Sequence, residues 1–447
     1  MAFIQPRTPA GTLELLPQDQ QVHQYMLDVI RKNYEKFGFI GIETPVFEIK
    51  DMLLTKSGGE TEQQVYLVQS TGAQKQGQEA DLALRFDLTV PLARYVAQHE
   101  RELAFPFRRY QIQRVYRGER PQKGRAREFY QCDIDVIGKD KLDAGYDAEM
   151  PAIIVEIFTA LGLEDFTIHF NNRKVLQGLL NAMGVRDDET KKLILREIDK
   201  RDKIGDDNVA QALQKLGLTR ENIEKLLALL SYQGSKDEVL EKLRAMEIKE
   251  PLFEEGVAAL ALMVQSLRAL GVAEKFTRIN LGIARGLDYY TGTVYETLLD
   301  KAPKIGSICS GGRYENLASL YTRSKLPGVG ISIGLTRLYE ILEELNLLPT
   351  APATVQIFIP LLAPDLRADT LVLAKTLRAQ GFTVETYLED AKLEKQMKYA
   401  AKKEIPFVLL LGAEEKQKNI VQLRDMNSKT QTEIPRDQLM ASLKNLL

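Results

Sequence analysis

The chain has 447 residues, 44 % of them apolar and 27 % charged, and a formal net charge of −2. That length allows about three domains, and the composition is that of a protein with an ordinary apolar core. The charge excludes a surface coated with positive residues, so any nucleic acid has to be met by local patches. Cys132 and Cys309 are far apart and lack CxxC or Cys/His spacing, so neither a disulfide framework nor a zinc site is expected. The N-terminal stretch MAFIQPRTPAGTLELLP has no apolar signal core, and no run of about 18 apolar residues occurs. The expected compartment is the cytoplasm, without a membrane partner.

Val22, Tyr25, Met26, Val29, Ile30, Tyr34 and Phe37 recur at helical spacing and predict a helix from Pro17 to Phe37, stopped by Gly38. A strand entering at Phe39 and broken by Pro45 follows. Ser57 to Ala80 is rich in Gly, Gln and Ser and reads as loops around a short strand, Val65 to Val68. Leu82 to Gln98 reads as a strand interrupted by Arg85 and Asp87, then a helix with Pro91 near its first turn. At that junction Asp87 and Thr89 fit a ligand site and a helix cap equally well.

The most informative stretch is Phe107 to Asp135. Between Arg108 and Arg127 it holds eight basic residues against the single acid Glu119. Tyr110, Ile112 and Val115 mark one strand, Phe129 to Val136 a second, and Gly118 to Gly124, with Pro121, the loop between them. Arginines on a sheet are costly unless paired, so the expectation is a basic hairpin meeting a polyanion, with phosphate as the obvious candidate.

Beyond it, Tyr146 to Leu161 predicts an amphipathic helix and Phe166 to Asn171 a strand. From Arg173 to about Ala273 the pattern is wholly helical and interrupts the strand-rich pattern, as an insertion would. Strands resume at Phe276. Arg285, Asp288, Tyr289 and Tyr290 cluster among Gly282, Gly286 and Gly292. GSICSGGRYENLASLY reads as a strand, a glycine turn and a helix start, and Pro327 to Leu338 as a glycine-interleaved strand running into a helix. Such glycines leave a bare surface where a planar ligand can lie. Leu347 to Thr354 reads as a linker. The remainder alternates strand and helix, an α/β unit with a mainly parallel sheet.

Four stretches together carry a resemblance. RGERPQKGRAREFYQCDID looks like the second signature of class II aminoacyl-tRNA synthetases as it appears in histidyl-tRNA synthetases. ARGLDYYTGTVYE resembles the histidine-specific signature of that family, SGGRYENL a further hallmark, and GVGISIGLTRL the third class II signature. The helix and proline-broken strand at the N-terminus resemble the first signature, which builds the family's dimer interface. The resemblance implies an α+β catalytic domain with a mainly antiparallel sheet in two parts, residues 1–172 and 274–346, around a helical insertion, 173–273. A linker, 347–354, would lead to an α/β anticodon-binding domain, 355–447.

It further implies ATP-dependent ligation of L-histidine to tRNA(His) through histidyl-adenylate, by a homodimer. Arg117 and Arg285 would stabilise charge on the α-phosphate. Arg125 and Arg337 would meet the distal phosphates, and Glu119 the adenine amino group. Mg2+ would be held by ATP itself, with no ligand from the protein. Asp87, Thr89 and Gln131 would take the ammonium end of histidine, and Asp135 and Tyr290, with Tyr289 alongside, the imidazole. Asp87 and Asp135 stand where bacterial members commonly carry glutamate. By their place at the hairpin tip, Gln122 and Lys123 fit contact with the tRNA acceptor end and a solvated turn equally well. His23, His99, His169 and Cys132 are expected to be packed or surface residues rather than ligands. The alternative is a regulatory subunit of ATP phosphoribosyltransferase, but that paralogue generally lacks the last domain and part of the ATP set.

Overall fold

The computed structural model describes residues 3–54, 64–122, 124–283, 290–315 and 318–446. They form two compact units, Met1–Pro349 and Thr350–Leu447.

The first unit contains strands β1 (Ile40–Gly41), β2 (Phe47–Ile49), β3 (Leu67–Val68), β4 (Leu82–Leu84), β5 (Phe107–Tyr116), β6 (Glu128–Ile137), β7 (Phe166–Asn172), β8 (Thr277–Ile279), β9 (Thr293–Leu299), β10 (Cys309–Tyr314) and β11 (Gly328–Gly334). Eight of them make one sheet in the order β1-β5-β6-β11-β10-β9-β7-β8, while β2, β4 and β3 make a small separate sheet. In the large sheet only the outermost pairs, β1 with β5 and β7 with β8, are parallel.

Strand alternation explains which face is core. Tyr110 and Ile112 of β5 and Cys132, Ile134 and Val136 of β6 belong to the apolar core. The helix Pro17–Lys36 meets that core through Met26, Ile30 and Tyr34, spaced one turn apart, and the Tyr34 hydroxyl donates to the Cys132 carbonyl at 2.8 Å. Full burial of such side chains stabilises by about 1.5–3 kcal/mol each. Gly38, at φ +77°, turns the chain out of this helix. The opposite face carries Arg109, Gln111 and Gln113, paired across to Asp135, Asp133 and Gln131. Polar residues in the middle of a sheet need a purpose, and this face becomes the floor of a cleft.

Seven helices between Arg173 and Ala269 follow β7. They share one continuous apolar core with the sheet and lie in the same compact unit. Helices Arg173–Ala182 and Pro251–Ala269 cross closely, because a Cβ on Gly178 would meet the Phe253 nitrogen at 2.3 Å.

The expected glycine turn in GSICSGGRYENLASLY is absent. Gly311 and Gly312 lie inside β10, paired to β9 and β11. A Cβ on Gly311 would meet the Gly330 carbonyl oxygen at 2.1 Å, so the glycines serve close strand approach rather than reversal.

The second unit is a five-stranded sheet, with β12 (Ile357–Pro360), β13 (Val384–Tyr387), β14 (Phe407–Leu410), β15 (Ile420–Asp425) and β16 (Gln431–Pro435) in the order β13-β12-β14-β15-β16. The strand–helix alternation predicts the parallel half correctly. The other half is an antiparallel β14–β15–β16 meander, so the sheet is mixed rather than mainly parallel. The polar segment Gln431–Pro435 has only Ile434 buried and offers almost no apolar alternation to read.

Candidate active site

A cleft of about 480 Å³ opens over the polar face of β6, β10 and β11. Gln64, the turn at Asp87 and Thr89, the hairpin from Arg117 to Arg125, Tyr290, and Arg337 and Glu340 of the helix Leu335–Glu344 complete its walls.

One end is acidic. Asp87, Gln131, Asp133 and Asp135 all line it. Asp87 caps the helix Thr89–Gln98 by accepting from the Val90 N–H at 3.1 Å, so it serves as cap and cleft wall together. It keeps some surface open to the cleft, but the protein around it pushes its carboxyl up to about 6, against the pull of the Val90 N–H, Arg117 and Arg109. Asp133 is 2 % exposed, and burial pushes it up to about 7, opposed by Arg109 and the Ser332 hydroxyl. Burial also raises Asp135. Its Oδ2 pairs with Arg109 Nη2 at 2.5 Å and its Oδ1 accepts from the Tyr314 hydroxyl at 2.9 Å. Three carboxylates thus surround one fully buried guanidinium, an arrangement short of positive charge.

The other end is basic. Arg117 donates from Nε to the Phe86 carbonyl at 3.1 Å, and its guanidinium lies 5.0 Å from the Phe129 ring centre. Its Nη nitrogens make no hydrogen bond among the described residues. Arg125 pairs loosely with Glu119 at 3.3 Å. Arg337 donates to the Ile305 carbonyl and lies against Gly124 of the hairpin loop. The carboxyl of Glu340 is raised by burial, against the pull of the Gly124 N–H.

The glycine-interleaved strand is less bare than expected. A Cβ on Gly328 would strike the Tyr314 ring at 2.5 Å, and one on Gly330 would strike Asp135 Oδ1 at 2.2 Å. These two glycines make room for the protein's own side chains. Only Gly334, with nothing nearer than Arg337 Cβ at 3.9 Å, presents an open surface.

The structure therefore brings Asp87, Thr89, Arg117, Glu119, Arg125, Gln131, Asp135, Tyr290 and Arg337 to one cleft. Arg285, Tyr289 and Lys123 lie outside the described residues. Gln122 is exposed and lines a neighbouring hollow with Gly11, Arg125 and Glu344. The arginines of the hairpin are not a single polyanion surface. Arg109 is spent on Asp135, Arg108 on Glu149 at 2.6 Å and the Phe39 ring, and Arg114 on Glu128 at 2.9 Å. Net charge along the sequence does not reveal these partners, because they lie on other elements. Sequence reasoning missed Asp133, Ser332 and Glu340. Asp133 had a signal: it sits on the same strand face as Gln131 and Asp135.

His23 is packed, 3 % exposed, between the rings of Tyr130 and Tyr339 at 5.4 and 5.8 Å. His99 pairs with Glu102, and His169 contacts Asn280. Cys132 is buried in the core.

Residues 11–338 match the histidyl-tRNA synthetase family, and residues 356–446 match the anticodon binding domain. A histidine–tRNA ligase of Stenotrophomonas maltophilia is 53 % identical over 99 % of this chain and 98 % of its own. One of Xanthomonas oryzae is 51 % identical over 99 % of this chain and 98 % of its own. The crystal structure of histidyl-tRNA synthetase from Nostoc sp. superposes with a TM-score of 0.91 at 40 % identity and full coverage of both chains. A Bacillus halodurans structure described as an ATP phosphoribosyltransferase regulatory subunit/histidyl-tRNA synthetase superposes at 0.74, covering 89 % of this chain and 97 % of its own. Its 22 % identity makes that a likeness of fold alone.

Proposed function

The chain belongs to the histidyl-tRNA synthetase family, and from that premise we propose how its cleft divides the work. The protein is a histidine–tRNA ligase, with ATP as the second substrate. In the first step a carboxylate oxygen of histidine attacks the α-phosphorus of ATP, forming histidyl-adenylate as the bond to pyrophosphate breaks. In the second, a hydroxyl of the terminal ribose of tRNA(His) attacks the acyl carbon and AMP leaves.

The observation that carries this reading is the polarity of the cleft, acidic at one end and basic at the other within about 480 Å³. At the acidic end Asp87, Thr89 and Gln131 hold the ammonium group. Asp135 and Tyr290, with Tyr289, receive the imidazole. Asp135 Oδ2 is ion-paired with Arg109 and Oδ1 accepts from the Tyr314 hydroxyl, and a carboxylate oxygen has a second acceptor direction. At the basic end Arg117 offers its Nη groups to the α-phosphate, with Arg285 from the histidine-specific signature as the second donor. Arg125 and Arg337 take the distal phosphates, and Glu119 the adenine amino group. These donors act where charge develops, which is where electrostatic stabilisation lowers a barrier.

Mg2+, a hard cation that prefers phosphate oxygens and water, comes with the nucleotide. Glu340, beside Arg337, would hold one of its waters. Gln122, exposed on the hairpin, contacts the tRNA acceptor end, with Lys123 beside it in sequence as a second donor. The second unit binds the anticodon stem-loop, and residues 173–273 act as an inserted helical domain. The enzyme works as a cytoplasmic homodimer. Ile40 of β1 and Phe47 and Ile49 of β2 are 68, 50 and 56 % exposed, as residues covered by a second copy would be.

Pyrophosphate exchange with purified protein, histidine and ATP tests the core of this reading. Histidine-dependent exchange is the expected result, and its absence refutes it. Binding of tRNA(His) should weaken steeply with salt, since each phosphate contact releases a counterion.

A further inference from the structure

Asp133 is the one carboxylate of the acidic end to which the family resemblance gives no role. It sits on β6 between Gln131 and Asp135, on the same face and about 7 Å along the strand from each. Arg109 of β5 lies beneath, shared with Asp135, and Asp87 faces it from the turn before the helix Thr89–Gln98. Across the ladder it opposes Ser332 of β11.

Three observations relate it to Gln131. Ser332 stands opposite Asp133 across the ladder, and its hydroxyl is among the groups that pull the Asp133 carboxyl down against burial. The Gln131 side chain donates from Nε2 to Ser332 Oγ at 2.9 Å. Gln131 Oε1 and Asp133 Oδ1 are both buried and have no hydrogen-bond partner among the described residues. A hydroxyl has one hydrogen. Above pH 7, where Asp133 is ionised and a carboxylate only accepts, that hydrogen goes to Asp133, and Ser332 Oγ is left as an acceptor. Only the NH2 end of the Gln131 amide can then face Ser332, and the oxygen turns the other way. Buried acceptors without donors are rare in finished structures, and a bound ammonium group would supply donors to these two.

We infer that Asp133 is a positioning residue of the amino-acid pocket, which orients the Gln131 amide through Ser332 and supplies the negative charge that selects a ligand carrying an ammonium group. The inference rests on the proposed amino-acid end of the cleft. It goes beyond that proposal by adding Asp133 and Ser332 to the determinants of specificity.

Asp133→Asn keeps the volume and removes the charge. In pyrophosphate exchange it should raise KM for histidine about tenfold, with kcat and KM for ATP within twofold. Ser332→Ala, which breaks the relay and keeps the charge, should raise KM for histidine about threefold. Inhibition by imidazole-lactate, in which a hydroxyl replaces the ammonium, should be unchanged in both. An unchanged KM for histidine overturns the inference. So does a joint fall of kcat and of affinity for both substrates, which is the mark of a structural role. If Asp133→Asn does not fold, Ser332→Ala carries the same comparison. Wild-type protein that gives no histidine-dependent exchange defeats the proposed function instead, a distinct outcome.

Discussion

Arg109→Met tests whether the polar floor is held together by charge. Arg109 is fully buried and pairs with Asp135 at 2.5 Å, with Asp133 and Asp87 within its field. Methionine fills most of the volume, so the loss is mainly electrostatic. Breaking a buried pair by removing one partner costs about 3–5 kcal/mol, a large share of the roughly 5–15 kcal/mol that stabilises a native protein. The cost should depend on pH with a definite sign. Without Arg109 the folded-state pKa values of Asp133 and Asp135 rise further above that of an unfolded aspartate. A carboxylate shifted upward is tolerated while protonated and destabilises once ionised, so the deficit grows as pH rises through the shifted value. Because Asp133 already titrates near 7, urea unfolding should show a smaller deficit at pH 5.5 than at pH 8. A deficit below about 1 kcal/mol, or one equal at the two pH values, would refute the account of the floor.

Three further outcomes follow from the geometry. Gly330→Ala places a Cβ 2.2 Å from Asp135 Oδ1 and 2.4 Å from the Ile134 carbonyl. It should cost about 1–3 kcal/mol by overpacking and raise KM for histidine more than KM for ATP, as read by thermal unfolding and exchange kinetics. Arg117→Ala should lower the rate of adenylate formation by about 10²–10³ while far-UV circular dichroism stays unchanged, and near-wild-type exchange would remove Arg117 from its role. His23 is packed between aromatic rings and its pKa is lowered to about 4, first by burial and then by Arg114. It is neutral in the folded state and takes a proton on unfolding, so its contribution of about 3 kcal/mol is present above pH 6.5 and lost as pH falls toward 4. His23→Phe should flatten the acid limb of the stability curve, and an unaltered limb would argue against a buried neutral imidazole.

The fold was legible where periodicity and punctuation agree. The helix Pro17–Lys36 shows its buried stripe and its Gly38 stop in the sequence, and the β5–β6 hairpin shows alternation on both arms. The reading fails where a residue's purpose depends on an element distant in sequence. Gly311 and Gly312 look like a turn, because glycine tolerates reversal, but they are in-strand residues forced by the approach of Gly330 and Tyr290. The hairpin arginines look alike by count, yet Asp135 and Glu149 claim two of them before any ligand arrives. At the site, nine of the expected residues line one cleft, and Asp133, which lines it with them, was passed over. A search for reactive types at family positions passes over an aspartate whose work is done through the serine opposite.

Arg85 shows how far the placement of that site depends on carbonyls rather than charges. It is 1 % exposed and, among the described residues, pairs with no carboxylate. Its Nη1 donates to the Thr44 and Pro45 carbonyls at 2.8 and 3.3 Å and to Gln113 Oε1 at 2.7 Å, and its Nε donates to the Arg114 carbonyl at 2.9 Å. A guanidinium cannot lose its proton in a protein, so burial obliges the backbone around it to satisfy its fork. In doing so it ties the proline-broken segment after β1 to the end of β5. Its own carbonyl accepts from the Tyr116 N–H at 3.0 Å, and the Phe86 carbonyl accepts from Arg117 at 3.1 Å. The turn presenting Asp87 and the hairpin presenting Arg117 are therefore fixed to each other within three residues of Arg85. The acidic and basic ends of the cleft keep their spacing because one buried cation holds the chain between them.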